Sequence, residues 1–227
     1  MSTPTALPDL PIAGAPLRAR AARGEGARLR AEILDAAERL LIQSGDDTVV
    51  SIRSIAAEVG VTPPSIYLHF ASKEALVFAV CDRCFAAFDA AVEGAGASTD
   101  DPIETHRRRA HAYVRFGLDH PGHYRLLFMG RRATRALDPD DGLTAAQRAF
   151  AHLVEAVQRS IDLGAFRAGV DPLMAAIGMW TAIHGLTAAL IALPGFPWPN
   201  VDHLVDQLCD THLHALTSEA RQQGVLP

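Results

Sequence analysis

The chain has 227 residues, 49% of them hydrophobic, a net charge of −5 and a pI near 6.0. That length buries a real core, as one large domain or two small ones, and three cysteines cannot build a disulfide framework. Net acidity excludes a wholly basic nucleic-acid binder but leaves room for a small basic face on an acidic body.

The opening residues, MSTPTALPDLPIAGAP, set prolines and an aspartate where a secretory signal needs a basic start and an unbroken apolar run. The expectation is a disordered leader over 1–26 of a cytoplasmic protein. Arg18, Arg20, Arg23, Arg28 and Arg30 outnumber Asp9 and Glu25 here. Such an arm fits a minor-groove extension and equally a solvated tail. Arg28 and Arg30, at the start of the first helix, are the better phosphate candidates.

From there the apolar period is helical nearly throughout, and no alternating or β-branched run bounded by turns suggests a sheet. Asp101-Pro102, Asp138-Pro139 and Asp171-Pro172 each pair a capping side chain with a proline in a first helical turn. Gly45, Gly60, Gly130 and Gly164 fall where helices stop. The spacing predicts helices over about 27–43, 52–59, 63–69, 73–93, 102–119, 121–128, 139–163, 172–193 and 200–220. The fold class is all-α, with a short three-helix N-terminal head and a larger helical body.

Residues 51–70, SIRSIAAEVGVTPPSIYLHF, read as helix, tight turn, helix. Ser51 can cap the first helix, which buries Ile52, Ile55, Ala56 and Val59; small Ala56 lets the second helix cross closely. Gly60 supplies a turn conformation that a side chain resists. Thr62 can cap the second helix, whose first turn holds Pro63 and Pro64. Ile66 and Phe70 face inward, leaving Tyr67, Leu68 and His69 outward, which suits a groove better than water. Lys73, the only lysine, opens the next helix at 73-KEAL-76, where backbone amides and ammonium together can hold a phosphate.

Over residues 27–76 the chain resembles the tetracycline-repressor (TetR) family. The resemblance rests on an amphipathic first helix (Ile33, Ala37, Leu40, Leu41), then Ile55-Ala56, 59-VGVT-62, Ile66-Tyr67, His69-Phe70 and 73-KEAL-76. It implies a DNA-binding domain over 27–76 and a ligand-binding and dimerisation domain over 77–220. It further implies a ligand-responsive regulator, most often a repressor, with operator DNA, a small-molecule effector and a second copy of the chain as partners. Ser65, Tyr67, His69 and Lys73 are then expected on phosphates or bases, with Thr62 and Pro63 near base edges. Arg28, Arg30, Ser51, Arg53 and Pro64 complete that set. Pro63-Pro64 stands where a polar or glycine pair is commoner, shifting the expectation from side-chain hydrogen bonds towards apolar contact with thymine methyls. His69 reads either as a phosphate ligand or as a structural histidine.

In the body, Gly178, Ala182, Gly185 and Ala189 put a stripe of nearly bare backbone on the 172–193 helix, and Met174, Ile177, Trp180 and His184 occupy its other faces. Trp180-x-x-x-His184-Gly185, with HPGHYRLLF at 120–128, resembles a TetR subgroup whose C-terminal domain is named for that tryptophan, histidine and glycine. In this family the last two long helices form a four-helix bundle across a two-fold axis. The resemblance therefore assigns Gly178, Ala182, Gly185, Ala189, Val201, Leu204, Val205, Leu208 and His212 to a dimer interface; an intramolecular core is the alternative. Tyr113, Phe116, Leu127, Phe128, Met129, Phe150, Met174, Ile177, Trp180 and His184 offer large apolar walls with few polar groups, as a small-molecule site does and any helical core does. A hydrophobic or aromatic effector follows.

Segment 173–193 is uncharged and long enough to span a bilayer, but it has no companion and no flanking basic bias, so a buried helix is expected. Cys81 and Cys84, spaced i and i+3, read as two small core residues or a thiol pair. Cys209, His212 and His214 lack a fourth metal ligand. Arg107 to Arg109 and Arg131-Arg132 read as solvated faces. No G-x-S-x-G elbow, P-loop, H-E-x-x-H or strand-borne G-x-G-x-x-G is present, so neither an enzyme nor a cofactor is expected.

Overall fold

Short-range capping chemistry sets most of the helix starts. Asp101 accepts from the Ile103 amide at 2.8 Å, and Asp171 accepts from the Leu173 and Met174 amides at 2.9 and 3.1 Å. Each satisfies donors that an α-helix leaves orphaned in its first turn. Thr144 and Gln147 close a reciprocal capping box, each side chain accepting from the other's backbone amide. Asn200 caps the last helix through the His203 amide at 2.9 Å.

The computed structural model describes residues 25–45, 48–129 and 144–217. In chain order these form α1 (Glu25–Ser44), α2 (Ile52–Val59), α3 (Pro63–Tyr67), α4 (Lys73–Gly96), α5 (Pro102–Asp119) and α6 (Pro121–Tyr124). A π-helical turn, Arg125–Met129, follows, then α7 (Ala145–Asp162), α8 (Pro172–Ala192) and α9 (Val201–Leu216). Among the described residues the only β pairing is an isolated bridge between Phe166 and Thr217. The all-α expectation is met.

Two hydrophobic cores share one connecting helix. Ile33, Ala37 and Leu41 of α1, Ile55 and Ala56 of α2, and Ile66 and Phe70 at α3 close the first core. Tyr113, Val114, Tyr124, Val157, Ala176, Ile183 and Val205 belong to the second. Helix α4 serves both, with Leu76, Val77, Val80 and Cys84 in the first and Phe88 in the second.

The junction is polar as well as apolar. Arg83 of α4 donates to Asp35 at 2.7 Å and pairs with Glu38, both on α1, and Glu38 also meets His123 of α6 at 2.9 Å. Burial works against the Glu38 carboxylate, but the bonds from His123 and Arg83 outweigh it and hold its pKa below the usual value. Bare Gly122 lets α6 lie directly against Ile42 of α1.

Several boundaries differ from the expected ones. The run expected as one α-helix over 121–128 is a four-residue α6 closed by the π-helical turn, an arrangement that re-aims side chains out of α register. Helix α3 ends at Tyr67 rather than 69, because the His69 and Phe70 amides both turn back onto the Ile66 carbonyl. Helix α4 runs on to Gly96, past the expected 93, and α1 begins at Glu25. The expected start at 139 with its Asp138-Pro139 signal, the expected stop at Gly130 and the Arg131-Arg132 pair lie outside the described residues, as do 218–220 and leader residues 1–24.

Candidate functional site

Two regions gather the residues singled out in the sequence: one end of the first core, and a cavity in the second.

At the first, Ser51 and Ser54 form a reciprocal capping box that starts α2, each hydroxyl accepting at 3.0 Å from the other's amide. Gly60, at φ 76°, makes the left-handed turn between α2 and α3. Ser72 then caps α4 through the Ala75 amide at 3.1 Å. These caps place the start of α2, all of α3 and the start of α4 in succession around one small core. Arg53, Thr62, Pro64, Tyr67 and Leu68 are exposed, and Pro63, Ser65, His69 and Lys73 are half-buried. Leu68 at 84% and Tyr67 at 54% exposure are large side chains that their own subunit leaves mostly uncovered.

Three residues sit differently from their expected roles. Thr62 does not cap α3; its hydroxyl bonds the Ser65 hydroxyl at 2.9 Å, and Pro63 and Pro64 have no amide hydrogens to offer it. Arg30 lies over the Phe70 ring at 4.7 Å, a cation–π contact within the subunit. Arg28 is 3.7 Å from Glu32 on its own helix.

The second region is a cavity of about 480 Å³ bounded by α4, α5, the π-helical turn, α7, α8 and α9. Phe85 and Phe88 of α4, Tyr113 of α5, Phe128 of the π turn, Phe150 of α7 and Trp180 and His184 of α8 supply its aromatic wall. Phe128 is packed at ring distances of 4.8 to 5.9 Å against Phe85, Phe88, Tyr113, Tyr124 and His184. Trp180 stacks on His184 at 5.3 Å. The Tyr124 and Tyr113 hydroxyls converge on His184 Nδ1 at 2.6 and 3.1 Å. Burial lowers the His184 pKa and raises that of Tyr124 to about 12, so imidazole and phenol are both neutral at pH 7.

Of the expected lining residues, Tyr113, Leu127, Phe128, Phe150, Ile177, Trp180 and His184 border the cavity. Phe116 does not, packing edge-on to Phe88 at 5.3 Å. Met174 and Met129 turn outward, 62% and 49% exposed. The sequence reading missed the α4 side, Phe85, Phe88, Asp89, Val92 and Glu93, together with His106 and Arg109 of α5. Polar residues interleaved along α4 mask this wall in the sequence, where the available signal is the Phe85 and Phe88 pair at i and i+3. Arg109 is no solvated arginine, since its side chain pairs with Glu93 at 2.5 Å with 14% exposure.

The stripe assigned to a partner divides. Gly185 is exposed, Gly178 and Ala189 are half-buried, and a Cβ on Gly178 or Gly185 would meet open space. Ala182, three residues before Gly185, borders the cavity instead. On α9, Val201, Leu204 and Leu208 are half-buried, with Leu208 also bordering the cavity, but Val205 is only 1% exposed and belongs to its own subunit's core. Its place in an interface is corrected accordingly. His212 bonds its own helix through the Leu208 carbonyl at 2.9 Å.

Helix α8 is the one helix among the described residues long and apolar enough to cross a membrane, yet only 22% of its most apolar stretch is buried in the subunit. The Cys84 thiol is buried, and desolvation with the Glu38 charge pushes its pKa up to about 12, which leaves no thiolate at neutral pH.

Residues 33–80 match the profile described as bacterial regulatory proteins, tetR family, and residues 106–216 match the tetracyclin repressor-like C-terminal domain. The chain is similar to an uncharacterized HTH-type transcriptional regulator of Mycobacterium tuberculosis, at 33% identity over 186 residues, 79% of this chain and 80% of that protein. A solved protein of unknown function from a Rhodococcus species aligns with a TM-score of 0.72 at 27% identity, over 84% of this chain and 96% of that one. A TetR family transcription regulator from Marinobacter aquaeolei aligns with a TM-score of 0.67 at 21% identity, over 87% and 100% respectively.

Proposed function

The chain belongs to the TetR family and is a DNA-binding transcription regulator, and on that premise we propose that it is a dimeric repressor released from its operator by a small, largely apolar effector. The observation that carries this reading is the double duty of α4. It begins at Lys73 beside α3, and two turns of its later course, Phe85 to Glu93, wall the aromatic cavity. A molecule that fills the cavity presses on the same rigid element that positions the DNA-facing end.

DNA contact falls to Arg28, Ser51, Arg53, Thr62, Pro63, Pro64, Ser65, Tyr67, His69 and Lys73. Exposed Tyr67 and Leu68 support it, since the subunit leaves more than half of each uncovered. Arg30 contributes less than the sequence suggests, because its guanidinium is already engaged with Phe70. Helices α8 and α9 pair with those of a second copy. Support comes from outward Leu173, Met174 and Gly185 on a helix so little buried by its own chain. Two heads at fixed spacing read two half-sites.

The effector acts by binding one α4 orientation better than the other, and it shifts the balance only by that difference in affinity. Movement of α4 reaches α1 through Arg83 and, via α6, through the Glu38 to His123 bond and the Gly122 to Ile42 contact. The test is a reporter gene placed behind the DNA beside the protein's own gene, read in cells with and without the protein. Expression falls when the protein is present; unchanged or raised expression overturns the repressor assignment.

A further inference from the structure

The cavity is apolar over most of its wall but polar at one pole, and the partners of those polar atoms identify the chemistry they lack. Most are already satisfied. His184 Nδ1 is taken by the two tyrosine hydroxyls. Asp89 meets His152 at 3.0 Å, and Glu93 meets the Nη2 atom of Arg109 at 2.5 Å. Three buried atoms remain without a hydrogen-bond partner among the described residues: Nε and Nη1 of Arg109, and Nδ1 of His106. Arg109 and His106 both line the cavity, three residues apart on one face of α5. Leaving a buried polar group unpaired costs more than an ordinary hydrogen bond returns, so such groups mark a site that something polar completes.

The donor and acceptor roles can be assigned. The Ser160 hydroxyl donates its one hydrogen to the Ala156 carbonyl at 2.9 Å, so towards His106 Nε2, at 3.0 Å, it accepts. The His106 proton therefore sits on Nε2, and Nδ1 presents a lone pair. Burial, reinforced by the Arg109 charge, lowers the His106 pKa to about 4 and keeps the ring neutral. Arg109 Nε carries one hydrogen and Nη1 two, so the pole offers three N–H donors on two nitrogens, and one acceptor. It is also a seated arrangement: a Cβ on buried Gly96 would stand 2.5 Å from Arg109 Nε, so the guanidinium occupies space that only a glycine leaves.

Charge decides between candidate head groups. Arg109 is already neutralised by Glu93, and Asp89 adds a further carboxylate to the lining. A carboxylate or phosphate would bring an extra negative charge to a pole with no free positive one, and a cation would face the N–H donors of Arg109 Nε and Nη1.

We propose that the effector carries a neutral head group in which an acceptor oxygen adjoins an N–H or O–H donor, as in an amide or a hydroxy-carbonyl, bound by Arg109 and His106 below an apolar tail. This rests on the reading of the cavity as the effector site. The probes are three ten-carbon chains: decanamide, methyl decanoate and sodium decanoate, titrated calorimetrically into the full-length protein, with DNA release followed in parallel by fluorescence polarisation. Decanamide has both head-group functions, the ester lacks the donor, and decanoate adds the charge. Decanamide binds about tenfold or more tighter than either of the others. Arg109→Met and His106→Leu bring the three within about threefold of one another, with tail binding retained. Should Arg109→Met leave Glu93 unpaired and the protein unfolded, Gly96→Ala displaces the guanidinium while keeping every charge, and it erases the same preference. Binding without preference, or tighter binding of decanoate, overturns the head-group assignment alone. No binding and no DNA release by any of the three overturns the effector-site reading and the proposal together.

Discussion

His106 makes the most readily measured claim at the residue scale. Its ring stacks on Phe166 at 5.2 Å, and burial pulls its pKa from 6.5 to about 4. Between those values the unfolded chain binds a proton that the folded chain refuses, so stability falls as pH drops through that window. From pH 7 to pH 5 the loss from this group is about 2 kcal/mol. In His106→Gln the amide nitrogen can still donate to Ser160 but does not titrate. Urea unfolding of both proteins at the two pH values should show the wild type losing about 2 kcal/mol more; equal losses contradict a neutral buried ring. At the end proposed to face DNA, Tyr67→Ala and Lys73→Ala should weaken binding to every duplex alike. Lys73→Ala should also lower the slope of log affinity against log salt by about one. Full affinity in both variants would remove these residues from the interface. Arg30 shows why some roles escaped the sequence: its charge and position suited a phosphate, but the ring it covers, Phe70, is brought to it only by packing.

At the scale of elements, whatever depends on a few neighbouring residues was legible. The starts at Ile52, Lys73, Pro102, Pro172 and Val201 follow from side chains one residue upstream, and the helix-turn-helix turn follows from Gly60. The π-helical turn was not legible, because 120-HPGHYRLLF-128 reads as an α-helical run and no local residue marks the change of register after which Leu127 and Phe128 border the cavity. Nor was the role of α4 as a wall, for its polar residues find partners on α5 and α7. Two glycines differ in what a Cβ would meet. A Cβ on Gly117 would collide with Thr187 and come within 3.1 Å of the Tyr124 ring. Gly117→Ala should therefore cost about 1–3 kcal/mol of stability, read as a lower thermal midpoint; an unchanged midpoint would mean that α5 and α8 can part freely. A Cβ on Gly185 meets nothing, so Gly185→Leu should leave the subunit folded and raise the dimer dissociation constant about tenfold or more, seen by sedimentation. An unaltered dimer would move the interface off this face of α8.

The molecule as a whole is two cores joined by one helix and a polar clasp. The sequence made the division between head and body visible, because the head's motif occupies fixed spacings while the body's apolar residues do not declare whether they face a core, a cavity or a partner. Only the folded arrangement separates Val205, sealed in its own subunit, from Gly185, left outside. The central claim is that this molecule reads DNA through α3 and its flanking helix starts. A mobility-shift titration of the purified protein against the DNA beside its own gene, across a salt series and without added ligand, tests it most directly. The account predicts a discrete shift at a palindromic site, lost on random duplex of equal length, with log affinity falling linearly in log salt. No shift at low salt, or one equal on random duplex, would contradict it.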